Sequence, residues 1–111
     1  MTLDDIIWII ESEWEAEEGF FWKIRQGNFL QEDFKRALER FVAVPSYVDQ
    51  LVPARLVSLV WYVPIFMEWQ RERVRKQGGD LVAYEDAMTK MTNEVQRILG
   101  AVRIVNQGTA P

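Results

Sequence analysis

Residues 56–69 read Leu-Val-Ser-Leu-Val-Trp-Tyr-Val-Pro-Ile-Phe-Met-Glu-Trp, and the fold turns on how this stretch is wound. As a helix it is apolar on nearly every side, the pattern of a central segment that other elements cover. Its uncharged part, Leu56 to Met67, is twelve residues long and contains Pro64. Crossing a bilayer takes roughly 18–20 residues, so no membrane span is expected. Pro64 removes one internal hydrogen bond and should kink the helix near Val60. Pro53 suits the first turn, where a missing N–H is harmless. After Trp69 the character changes abruptly to Arg71-Glu72-Arg73-Val74-Arg75-Lys76. Cations in a last turn complement the helix dipole, and Gly78-Gly79 stop the helix.

Working outward, helical spacing continues in both directions. Thr2 with Asp5 forms a capping box, and Ile6, Ile10, Trp14 and Phe21 then recur at helical intervals. Gly19 either ends this first helix or weakens it, and the main break is expected at Gly27-Asn28. Asn28 with Gln31 offers a second start, with Phe34, Leu38, Phe41 and Val42 as the buried face and Pro45 as the stop. Ser46 with Asp49 could cap one short turn. Asp80 opens a last helix whose apolar face is Leu81, Tyr84, Met88, Met91, Val95, Ile98 and Leu99, with Gly100 near its end. The expectation is an all-α fold, a compact bundle of four to five helices with a central apolar helix. Residues 1–102 form the single domain, and 103–111 are expected to be a flexible C-terminal tail.

Composition narrows the function classes. Among 111 residues, 49% are apolar and 27% charged, which fits one soluble globular domain. Cysteine is absent, so neither a disulfide nor a thiol nucleophile is available. Histidine is absent too, which removes the commonest general base and metal ligand near neutral pH. Glu15 and Glu18 have the Glu-x-x-Glu spacing of helical metal-dependent hydrolases, but no second pair matches them on another helix. The chain is therefore expected not to be an enzyme and to need no cofactor and no metal. The opening Met1 to Asp5 has no positive charge and the apolar run after it is short, so no signal peptide is read and a cytoplasmic location is expected.

Charge is concentrated at the start. Asp4, Asp5, Glu11, Glu13, Glu15, Glu17 and Glu18 all precede Lys23, the first basic side chain, although the net charge of the whole chain is only -4. Projected at about 100° per residue, Asp4, Glu11, Glu15 and Glu18 form one stripe, with Trp8 and Trp22 on or beside it. Such a stripe can be merely a solvated face. Large indoles among exposed acids, however, have the character of an interface anchor, and the negative field favours a basic protein while repelling nucleic acid and anionic membrane. Asp4, Trp8, Glu11, Glu15, Glu18 and Trp22 are thus the candidate partner-binding residues. Glu13 and Glu17 project onto the apolar side, where a carboxylate must be paired. Arg25, Arg55 or an arginine of the 71–75 run could neutralise them internally; otherwise they reach a partner. The 71–76 run is too short and too near Glu68 and Glu72 for nucleic-acid binding, and is read as pairing with the acidic helix. The rings of residues 20–29 are mostly core, with one or two exposed.

The segment Glu18-Gly19-Phe20-Phe21-Trp22-Lys23-Ile24-Arg25-Gln26-Gly27-Asn28-Phe29 lies at the heart of this acidic–aromatic opening. With the size and character of most of the chain, it resembles the small acidic immunity proteins of bacterial polymorphic-toxin systems, especially contact-dependent growth inhibition. Those families differ in fold, and no functional residue carries across. The resemblance implies a protein that binds its cognate toxin domain, often a basic nuclease, and blocks the active site without chemistry. The other reading is a helical adaptor or self-associating subunit whose surplus aromatics form a homodimer interface.

Overall fold

The computed structural model describes residues 1–100, so the expected tail at 103–111 lies outside the described residues. Six helical segments follow in order: α1 (Leu3–Glu15), α2 (Phe20–Ile24), α3 (Gln31–Val42), α4 (Ala54–Val60), α5 (Val63–Lys76) and α6 (Leu81–Leu99). Taken as rods they are four, because α1 with α2 and α4 with α5 are each one helix broken in the middle. The all-α bundle expected from the spacing is what forms. Its principal extents of 45 × 35 × 17 Å describe a slab about two helices thick, which leaves each rod one face toward solvent.

Local chemistry explains the boundaries. Thr2 and Asp5 make the reciprocal capping box at the head of α1. The backbone N–H of Thr2 donates to the Asp5 carboxylate and lowers its pKa. Asp80 caps α6 by accepting from Ala83 N–H. The first rod breaks earlier than Gly27. Helix α1 ends at Glu15 and Gly19 begins α2, because the chain there runs directly against the preceding turn. A Cβ on Gly19 would lie 2.5 Å from the Glu13 carbonyl oxygen. Gly27, at φ +83°, closes α2 instead. The start read at Asn28 is also displaced: Leu30 is the residue before α3, and no side chain caps it.

Pro64 bends the rod, as expected near Val60. It occupies the first turn of α5, and the regular hydrogen bonding is interrupted at Trp61-Tyr62 just before it while the backbone stays right-handed helical at both residues. Pro53 stands immediately before α4 and not inside its first turn. Helix α5 ends in a Schellman motif: Gly78 takes φ +81°, its N–H donates to the Arg75 carbonyl, and Gly79 N–H donates to Val74.

The core is an aromatic cluster where the two broken rods meet. Trp14 stacks on Phe21 with centroids 4.3 Å apart, and Phe66 meets Trp14 edge-on at 4.9 Å. The Trp14 indole N–H donates to the Leu59 carbonyl at 2.9 Å, tying α1 to α4. Tyr84, fully buried, donates its hydroxyl to the Met67 carbonyl at 2.7 Å, tying α6 to α5. Arg97 closes the far end of the bundle by donating to the carbonyls of Phe41, Val42 and Val44. Those carbonyls lie at the end of α3 and just past its cap, and the one of Phe41 also accepts from Val44 N–H.

Candidate protein-docking surface

Glu13 organises the amino-terminal half. Its side chain is wholly buried, yet every lone-pair direction has a donor. Oε1 accepts from Phe20 N–H at 2.9 Å and from Arg36 Nη2 at 2.8 Å. Oε2 accepts from Arg36 Nε at 3.0 Å and Arg40 Nη1 at 2.8 Å. A carboxylate on α1 thereby caps the first turn of α2 and anchors two guanidiniums of α3. Arg36 extends the network to Asp33 at 3.0 Å and to the Glu18 carbonyl at 2.9 Å, and Lys23 reaches Asp33 at 3.0 Å. The hydrogen bond to Glu13 is the main reason that the Arg36 pKa is raised above its ordinary value.

This pairing corrects the sequence reading. None of Arg25, Arg55 or the arginines of the 71–75 run touches Glu13; its partners come from α3. The basic run likewise does not pair with α1. Arg71 bridges Glu68 and Glu85, each at 3.1 Å, Arg75 pairs with Glu72, and Arg73 donates to the Arg25 carbonyl. Glu17 is not on the apolar face, because α1 has already ended and the residue sits exposed in the turn.

The six candidate residues are divided by the break after Glu15. Asp4, Trp8, Glu11 and Glu15 share the outer face of α1, and Trp8 is 68% exposed. Glu18 follows in the turn, and with Trp8, Arg36 and Arg40 it lines a hollow of about 270 Å³ between α1 and α3. Glu11 is half-buried and paired with Arg55 of α4, and Glu15 lies 3.7 Å from the same guanidinium. Trp22 meets the stripe only at Glu15. It sits half-buried on α2 and, with Trp14, Glu15, Tyr62, Arg25 and Arg55, lines a different cleft of about 400 Å³. Among the described residues, the carboxylates of Asp4, Glu17 and Glu18 form no ion pair. The face that remains open is thus an exposed indole with the acids of α1 on one side and Arg36 and Arg40 on the other, while Arg55 holds Glu11 and Glu15 at the far edge.

A second exposed aromatic feature was not anticipated. Trp61, Ile65 and Trp69 follow one another at intervals of four residues along the outer side of the second broken rod, at 50%, 40% and 65% exposure. The interval was visible in the sequence, but a segment apolar all round gave no sign of which side stays bare. Among the described residues, no group of three or more acidic side chains is placed to hold a metal ion, and no helix is long and apolar enough to cross a membrane. Comparison of the chain with protein-family models, with curated proteins and with solved structures gives no match.

Proposed function

We propose that this protein is a non-catalytic inhibitor that docks its acidic amino-terminal face on a basic protein. The carrying observation is Trp8, an indole held out to solvent among Asp4, Glu11, Glu15 and Glu18. Exposing that much aromatic surface is costly for an isolated chain and useful at an interface, where tryptophan supplies a desolvated centre within a charged rim. The acids would steer an oppositely charged partner, and the indole would slow its departure. The resemblance to immunity proteins makes a bacterial toxin domain, such as a basic nuclease, the partner of choice, blocked stoichiometrically at its active site in the cytoplasm.

The test is co-expression with the toxin domain of any large secreted protein whose gene adjoins that of this chain. Restored growth and a one-to-one complex are expected, and the Trp8→Ala variant should bind at least ten-fold more weakly while remaining folded. Absence of protection, or full protection by a Trp8→Ala, Glu15→Lys, Glu18→Lys variant, would remove this reading.

A further inference from the structure

We infer that the bare side of the bent α4–α5 rod is a self-association surface, which pairs two copies of this chain about a two-fold axis near Ile65. This surface is separate from the acidic face of α1, so it stands or falls independently of the inhibitor reading. Trp61 and Trp69 lie four residues before and four after Ile65, so the stripe is its own complement when two copies run antiparallel. A two-fold through Ile65 brings Trp61 of each copy to Trp69 of the other. Residues spaced by four form a ridge on a helix, and two such ridges pack most commonly at a crossing of about −50°.

Relief on the surface is also complementary. Beside Trp61, Pro64 and Ile65, an apolar groove of about 570 Å³ opens toward Val95 and Leu99 of α6. Trp69 protrudes at the opposite end of the stripe, so the two-fold sets each projecting indole at the end where its partner is hollow. Both indoles are held from beneath by Tyr62, whose ring centre lies 5.6 Å from Trp61 and 5.7 Å from Trp69. Tyr62 in turn packs toward Trp14 and Phe66 of the core, so the surface is anchored before any partner arrives.

Charge identifies the occupant. Along the flank of the stripe, Glu68 pairs with Arg71 and Glu72 with Arg75, which leaves a rim with little net field. A highly charged partner gains nothing there, whereas a second copy meets no repulsion. The acidic face of α1, by contrast, would repel itself. The exposed portions of the three side chains amount to roughly 350 Å² per copy, at the 150–250 Å² that a large aromatic offers. With the groove walls the total approaches about 1,000 Å², the lower bound for a specific interface, so the dimer should be weak.

Sedimentation velocity of the full chain between 2 and 200 μM tests this directly. A reversible dimer with Kd on the order of 10–100 μM is expected, shifted less than two-fold between 50 and 500 mM NaCl because the contact is apolar. Ile65→Glu should raise Kd at least ten-fold with an unchanged circular-dichroism spectrum, whereas Trp8→Ala should leave it unaltered. The chain has no cysteine. A single Ile65→Cys should therefore cross-link to itself under mild oxidation far faster than Glu39→Cys on α3. A chain that stays monomeric to 200 μM, or a dimer that survives Ile65→Glu, overturns the proposal.

Discussion

Glu13 shows how one buried charge is made tolerable. An unpaired carboxylate in a core costs several kcal/mol, and here one amide and two guanidiniums offset that cost. Replacing Glu13 by Gln keeps the acceptor for Phe20 N–H but leaves Arg36 and Arg40 facing a neutral amide. Urea unfolding at pH 7 should register a loss of about 3 kcal/mol; a loss under about 0.5 kcal/mol would mean that solvent already screens the network. Tyr84 sets a limit on the alkaline side. Burial raises its pKa, so the phenol must stay protonated in the fold yet ionises on unfolding. Its contribution is complete below about pH 10, the unfolded value, and is lost at about 1.4 kcal/mol per pH unit as pH rises toward the folded pKa. Unfolding free energies between pH 8 and 11 should fall more gently for Tyr84→Phe, which itself loses about 1 kcal/mol with the bond to Met67. That Glu13 needed a partner was legible in the sequence. Which partner was not, since Arg36 and Arg40 lie 23 and 27 residues away and only the packing of α3 brings them back.

Elements were read well wherever local chemistry decides them. The caps at Thr2 and Asp80, the glycine stop after Lys76 and the apolar face of α6 all depend on neighbours within a turn. The two broken rods were harder. Gly19 in isolation is a weak signal, and its necessity comes from contact with the backbone of Ser12 and Glu13. Gly19→Ala should therefore destabilise by about 1–3 kcal/mol in a urea titration, because a rigid backbone, not a pliable side chain, opposes the added methyl. Gly78→Ala separates conformation from crowding. No atom lies within 4 Å of the position a Cβ would take, so the positive φ acts alone, at about 1–2 kcal/mol. Pro64→Ala measures what the bend before α5 costs. A proline inside a helix costs about 3 kcal/mol, which alanine would recover; in the first turn of α5 the change should stay within about 1 kcal/mol.

At the scale of the molecule, thinness decides what the sequence could disclose. A slab two helices deep buries one side of each rod, so amphipathic helices announce their orientation while the all-apolar segment does not. The acidic face of α1 was therefore readable before any coordinates, and the stripe of Trp61, Ile65 and Trp69 was not. Reversing Glu11 and Glu15 to lysine should slow association with a basic toxin domain by ten-fold or more at low salt and flatten its salt dependence; stopped-flow rates that do not change would refute steering. The two reversals change the local charge by four units, and Arg55 keeps its own charge throughout. The knot at Glu13 has a further consequence for that encounter. Helix α1 cannot fray inward of Glu13 without also releasing α2 and α3, so its amides should exchange with solvent deuterium in concert with theirs. A helix so moored meets its target as a rigid body, and capture should slow the exchange of all three helices together.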